Sequence, residues 1–390
     1  MNTMSRKKKN YLLLAIIIMG MCLRPSITGL GSLLKLIKPD LGLSDTVAGL
    51  LTTIPMVMFA LFSPLVGKLN GKLGTAGTLS GGFALIACGV VLRSFGGKPG
   101  LYLGTGLIGC GIACGNVLMP AIIKSEFPEK YGFVTALNST GLAVSSAIAS
   151  GANYPLAINS GMGWRGTLCI YAGAAIVAIL FWLPVRDISV QTVQGNAKKL
   201  LTNKTAWAVT LFLGIEALAF YSCSSWLSTI FQFKGLDAEK AGYFVSCFQL
   251  TGIPASFLVP TLAGLRKDQR ALTCGVIGAF LAGILLMIIV HSEGALLFAA
   301  LLAGFGCNGG FALSMAFIGF RTSNGSDAVA LSGMSQSLGY VIAAFGPIGM
   351  GLVNDWLGSW NASLWVIAFL LVLLILIGLQ CAKEGTLEEK

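Results

Sequence analysis

Apolar runs long enough to cross a lipid bilayer recur twelve times along these 390 residues. They fall at approximately 11–34, 46–67, 75–95, 100–123, 131–153, 165–184, 205–230, 238–262, 272–291, 294–320, 327–351 and 360–381. A hydrocarbon core of ~30 Å is spanned by ~20 residues of α-helix. Lipid offers no partners for backbone polar groups, so spanning segments of this length fold as helices that bond within themselves. Composition agrees: 55% of residues are hydrophobic and 11% charged, with a mean hydropathy of +0.82, whereas soluble domains are about 25% charged. The 51 glycines suit helices that must approach closely in lipid. The expected fold is an all-α membrane protein of twelve transmembrane helices.

The only long polar break, 185–204, holds Arg186, Asp187, Gln191, Gln194, Lys198, Lys199 and Lys204, and divides the runs six and six. The expected organisation is a six-helix bundle over 1–190, a cytoplasmic linker over 191–204 and a second six-helix bundle over 205–390. With the N-terminus inside, 18 Lys and Arg fall on the inner side. Seven fall outside: Lys35, Lys38, Arg93, Lys98, Arg165, Lys234 and Lys240. Positive charge marks cytoplasmic loops, so both termini are expected in the cytoplasm of a cell-membrane protein. The net charge of +11 is spread over these loops and is not a nucleic-acid surface. Lys7, Lys8 and Lys9 precede the first run without a small-residue cleavage site, so that run is expected to remain as a helix.

The two halves match at an offset near 195–198. Gly109, Gly111 and Gly115 correspond to Gly304, Gly306 and Gly310. Gly67 and Lys72 correspond to Gly264 and Lys267, Asn138-Ser139 to Gln336-Ser337, and Trp164-Arg165 to Trp360-Asn361.

Two charges lie deep inside apolar runs: Arg24 in the first and Glu216 in the seventh. A guanidinium stays protonated in proteins, and at a membrane centre it costs about 2.5–3.5 kcal/mol on insertion scales. Such residues mark substrate paths, proton relays or paired charges. Pro25 follows Arg24 and predicts a kink. Arg24 suits a planar, delocalised acceptor; the alternative is a structural ion pair. Glu216 is a candidate to carry a coupling proton, or a static partner for Arg24. The ten cysteines have no zinc-like spacing and His291 stands alone, so no metal site or disulfide is expected. No phosphate-binding loop and no nucleophile–base pair is present, which argues against ATP-driven transport, a cofactor and enzymatic catalysis.

Several stretches carry a family resemblance. Residues 67–74, GKLNGKLG, resemble the loop motif between the second and third helices of major facilitator transporters, with Gly71 where an acidic residue is usual and Lys72 in the basic position. More specific are Leu23-Arg24-Pro25, the stretch Gly115 to Pro128 (GNVLMPAIIKSEFP), Phe220-Tyr221 with Trp226-Leu227, Leu331 to Tyr340 (LSGMSQSLGY), Gly346-Pro347 and Trp360. Together, and nearly end to end, the chain resembles the cyanate/nitroimidazole transporter group (CynX/NimT type). The resemblance implies the major facilitator fold of two pseudo-symmetric six-helix bundles, with substrate near the midplane between them. It implies secondary transport of a small polar or anionic solute by alternating access. In that fold helices 1, 4, 7 and 10 line the cavity, and Glu216 stands where relatives often have glutamine.

On this reading Arg24, Asn116, Tyr221, Asn308, Gln336 and Tyr340 are candidate substrate contacts, Glu216 the coupling residue, and Lys72 and Lys124 gating residues. Each has a plainer role open to it: an amide joins helices, an aromatic ring packs, and a terminal lysine sets topology. Expected partners are a small-molecule substrate, the bilayer and protons, and the chain is expected to be a monomer. Two other classes remain open. A broad-specificity drug/proton exporter usually has a glycine-proline motif in its fifth helix, but Gly141 to Gly151 contains no proline. A non-transporting sensor predicts saturable binding without flux.

Overall fold

The computed structural model of the protein describes residues 6–43, 45–190 and 200–387. Most of the expected linker, including Gln191, Gln194, Lys198 and Lys199, lies outside the described residues. Among those described there is no strand; the α-helices are α1 Arg6–Leu23, α2 Pro25–Gly31, α3 Leu34–Leu41, α4 Asp45–Phe95, α5 Gly97–Glu126, α6 Tyr131–Asn159, α7 Gly163–Trp182, α8 Lys204–Phe233, α9 Ala238–Leu250, α10 Gly252–Gly264, α11 Arg270–Ile289, α12 Glu293–Phe320, α13 Gly325–Leu357 and α14 Trp360–Cys381.

Among the described residues, eleven spans are long and apolar enough to cross a membrane. One of them lies in α4, whose 51 residues reach about 75 Å at the α-helical rise, far beyond a ~30 Å core. The helix breaks at Gly74 (φ 71°, ψ 170°), a conformation that only glycine adopts at little cost. α4 therefore supplies two crossings, the second and third expected runs, and the twelve segments are accounted for. The eighth run is also divided. α9 and α10 meet at Thr251, next to Gly252 and ahead of Pro254, which lacks a backbone donor. The first run breaks at Arg24, immediately before Pro25.

The chain forms two compact units. One comprises Met1–Phe127, Leu137–Gln194 and Asn324–Gly333; the other comprises Pro128–Ala136, Gly195–Ser323 and Met334–Lys390. Each is organised around one glycine-rich helix. In the first unit a Cβ on Gly109 would lie 2.8 Å from the Met58 Cβ in the first limb of α4. One on Gly111 would lie 2.3 Å from the Gly82 carbonyl in its second limb, and one on Gly115 2.6 Å from Leu23 of α1. A second matched pair, Gly89 and Gly104, brings the antiparallel α4 and α5 backbones equally close.

In the second unit α12 does the same. A Cβ on Gly304 would strike the Phe248 carbonyl at 2.3 Å, and one on Gly306 the Phe280 amide nitrogen of α11 at 2.3 Å. One on Gly310 would lie 2.9 Å from Ile277 and 3.3 Å from Glu216 of α8. Corresponding glycines thus meet corresponding neighbours in the two units. Lipid supplies no hydrophobic drive between helices, so close backbone contact at small residues holds them together.

The second unit also holds the start of α6. The Tyr131 hydroxyl accepts from the Gly319 amide at 3.1 Å and donates to the Met315 carbonyl at 3.4 Å. These two groups are one turn apart in α12. Gly319 is required there, because a Cβ would fall 2.0 Å from the Tyr131 ring.

Arg93 departs from expectation. It is not an outer-loop charge: it lies inside α4 and is 1% exposed.

Gly306→Val should lower the melting temperature of detergent-solubilised protein markedly, an overpacking penalty of about 1–3 kcal/mol. Gly275→Ala, at a position where a Cβ meets nothing within 4 Å, should leave it unchanged or raise it slightly. Equal melting curves for the two variants would show that glycine contacts do not hold α11 to α12.

Candidate functional site

Arg24 occupies the single residue between α1 and α2. Its carbonyl accepts from the amides of Ile27 (3.0 Å) and Thr28 (3.1 Å) and from the Thr28 hydroxyl (3.2 Å), so the break is a tight kink that keeps the chain hydrogen-bonded. Pro25 and Ser26 are buried, while Arg24 and Thr28 are half-buried. One turn earlier, Gly20 lies against Asn138 of α6, where a Cβ would sit 2.6 Å from the amide oxygen.

Also in the first unit, Asn116 is half-buried in α5, and its carbonyl accepts from the Ser332 hydroxyl at 3.4 Å. Lys124 is half-buried in the last turn of α5, where a cation complements the helix dipole. Lys72 is exposed near the Gly74 break.

The end of this unit where α2 meets the last turn of α4 holds polar residues that the sequence did not single out as a site. Arg93 donates from Nη1 to the Ser26 carbonyl at 2.6 Å. Asn153 of α6 donates to the Gly29 carbonyl at 2.8 Å, and the Tyr171 hydroxyl of α7 donates to the Asn153 amide oxygen at 2.6 Å. Arg93 stood two residues from the end of an apolar run, where a long basic side chain ordinarily reaches out to the interface. No local pattern distinguishes the inward case.

In the second unit Glu216 is fully buried in α8, packed beside Gly310. One turn on, Tyr221 is half-buried, with its ring 5.3 Å from Phe220 and 6.3 Å from Tyr340 of α13. Phe220 in turn lies 5.8 Å from Phe311 of α12. Gln336 is fully buried; its amide nitrogen is 3.5 Å from the Met315 sulfur, and its amide oxygen has no hydrogen-bond partner among the described residues. The structure therefore brings Tyr221 of α8 against Tyr340 of α13, while Glu216 lies on α8 against Gly310 of α12.

Asn308 is differently placed. It donates to the Gly304 carbonyl of its own helix at 2.9 Å and packs against Gly252, beside the α9–α10 break. That is the arrangement of an amide that joins helices. Trp226 likewise donates to the Pro347 carbonyl at 2.8 Å and lies against Trp360, the ring centroids 4.8 Å apart and the planes tilted by 40°. Among the described residues no group of three or more His, Cys, Asp or Glu is placed to hold a metal ion.

Arg24 of the first unit thus lies at a helix break, and Glu216 of the second lies beside the glycine-lined α12; both placements offer a charge that a polar solute could meet. The comparisons point the same way. Residues 16–344 match the Major Facilitator Superfamily. The chain is 38% identical to the uncharacterized transporter YycB of Bacillus subtilis strain 168, over 94% of this chain and 92% of that protein. It is 36% identical to the 2-nitroimidazole transporter of Escherichia coli K12 (98% of both chains). It is 25% identical to the cyanate transport protein CynX of the same organism, over 90% of this chain and 91% of that one. In fold it is similar to the transporter FucP in its outward conformation (TM-score 0.76, 14% identity, 94% of this chain and 97% of that chain). It is also similar to the proton:xylose symporter XylE (TM-score 0.77, 13% identity, 98% of both). The chain belongs to the major facilitator superfamily and is a secondary transporter of small solutes, similar to the nitroimidazole and cyanate transporters.

Proposed function

We propose that the solute is a small anion or a nitro-heterocycle, moved by alternating access, and that Arg24 is its principal contact. The supporting observation is the placement of Arg24: a permanent charge, half-buried at the break of a membrane helix. Cyanate and a nitro group both present delocalised negative charge, which a guanidinium meets through paired donors. The similarity to a 2-nitroimidazole transporter supports the same class. Asn116, Tyr221, Gln336 and Tyr340 are proposed to complete the contacts, and Asn308 to act mainly through helix packing. The moving bodies are proposed to be 1–190 and 205–390, with both termini in the cytoplasm of the cell membrane, Lys72 and Lys124 acting at the gate, and the protein monomeric and non-enzymatic.

Glu216 is proposed as the proton carrier. It is fully buried on α8, and a carboxyl group there can alternate between neutral and charged forms only as its surroundings change during transport.

In proteoliposomes, Arg24→Gln should lower kcat/KM for cyanate and 2-nitroimidazole by about tenfold or more, the range for losing a charged hydrogen bond, with unchanged membrane insertion. Wild-type kinetics in this variant would remove Arg24 as the anchor. Glu216→Gln should abolish accumulation driven by an imposed proton gradient while leaving counterflow exchange intact. Gradient-driven accumulation that survives Glu216→Gln would place the coupling elsewhere, and loss of exchange along with accumulation would make Glu216 structural.

A further inference from the structure

The seven residues of α2 are held by other helices at the carbonyl groups. Carbonyls in the last turn of any helix lack internal partners, and α2 is scarcely longer than its two ends. Two helices of the same unit donate to α2 carbonyls and a third holds one of the donors in place, while the Gly29 carbonyl also accepts from the Ser32 hydroxyl at 3.1 Å. Arg93 of α4 reaches the Ser26 carbonyl (2.6 Å) and Asn153 of α6 reaches the Gly29 carbonyl (2.8 Å). Tyr171 of α7 fixes Asn153 from behind (2.6 Å). The fit is close, since a Cβ on Gly29 would lie 2.3 Å from the Asn153 amide nitrogen and 2.9 Å from the Tyr171 hydroxyl.

Arg93 itself is anchored. Its amide nitrogen and Cβ lie where a Cβ on Gly104 would come within 2.6 and 2.8 Å, so the tight α4–α5 contact aims the side chain at α2. The Arg93 Nε and Nη2 and the Ser26 Oγ have no hydrogen-bond partner among the described residues, and no carboxylate among them forms an ion pair with Arg93. A buried guanidinium with two donor nitrogens unsatisfied is costly. A side chain serving packing alone would be met by an apolar residue of like volume.

We propose that Arg93, with Asn153 and Tyr171, is a positioning residue for the Arg24 site: the three clamp the outer segment of the broken helix and so set the direction in which Arg24 leaves the kink. The link is short. Ser26 lies two residues from Arg24, and Arg24 is the sole residue joining α2 to α1. The proposal rests on Arg24 being the substrate contact, and its test separates the two claims.

The test combines uptake kinetics for cyanate and 2-nitroimidazole with hydrogen–deuterium exchange over residues 24–31, on wild type, Arg93→Lys, Arg93→Met, Tyr171→Phe and Arg24→Gln. Arg93→Met and Tyr171→Phe should speed exchange in 24–31 but not in 205–233. They should raise KM, by about tenfold and threefold respectively, with kcat within about twofold. Arg93→Lys, which keeps one donor for the Ser26 carbonyl, should restore most of the affinity. Tyr171→Phe removes one hydroxyl from a half-buried ring and keeps the test open if Arg93→Met fails to fold. Unchanged exchange in both variants would overturn the clamp. Faster exchange with wild-type KM, in a protein that Arg24→Gln impairs, would overturn its role in positioning. If Arg24→Gln is itself wild type, the substrate reading falls and the positioning role with it, whereas faster exchange would still identify the clamp.

Discussion

Close backbone contact at Gly109, Gly111 and Gly115 in α5, and at Gly304, Gly306 and Gly310 in α12, is the constraint on which each unit depends. A Cβ at any of these six positions would fall 2.3–2.9 Å from a neighbouring atom, inside van der Waals contact. In water such helices would gain by burying apolar side chains. In lipid the surroundings are as apolar as the side chains, and what remains is dispersion between backbones that approach closely enough. One glycine of each triad meets each of three neighbours, so a single helix sets the spacing of its whole unit. The same arrangement in both units accounts physically for the sequence repeat: what recurs is the contact surface of the central helix.

Helices fixed this way can be interrupted where function needs it. α1–α2 breaks at Arg24, α9–α10 at Thr251 and α4 at Gly74. The first two breaks fall within single spans and free backbone groups that lipid cannot satisfy, whereas the third lies between the two crossings of α4. At the first break, side chains from two other helices, Arg93 of α4 and Asn153 of α6, meet the carbonyls beyond the kink; at the second, the Thr251 hydroxyl donates to the Phe248 carbonyl (2.7 Å). Tyr131 shows the converse: its hydroxyl bonds backbone groups of an uninterrupted α12. At the α1–α2 and α9–α10 breaks polar side chains meet backbone carbonyls because the interrupted backbone needs partners there.

The character of the chain was legible because transfer into lipid depends on composition and length alone. The number of crossings, the kink ahead of Pro25, the exceptional standing of Arg24 and Glu216, and the family resemblance all follow from residues read along the chain. The division of the eighth run was less legible: Gly252 and Pro254 hint at it, but many membrane helices tolerate such residues. The roles of Arg93, Asn153 and Tyr171 were not legible at all. Arg93 and Asn153 meet main-chain carbonyls 67 and 124 residues away, and Tyr171 meets the Asn153 side chain 18 residues away; a carbonyl has no signature in the sequence.

The sequence by itself determined that this chain spans a membrane many times, in two related halves, with two charges where lipid tolerates none, because each of these is a local property of hydropathy and charge. Only the tertiary structure decided which polar side chains face a neighbour and which stay half-open. Arg93 turned inward to Ser26, Asn308 turned back on its own helix, and Arg24 was left partly exposed at the kink. Those outcomes depend on which helix faces lie against each other, and that is settled by three-dimensional contact at the glycines rather than by the order of residues around each charge.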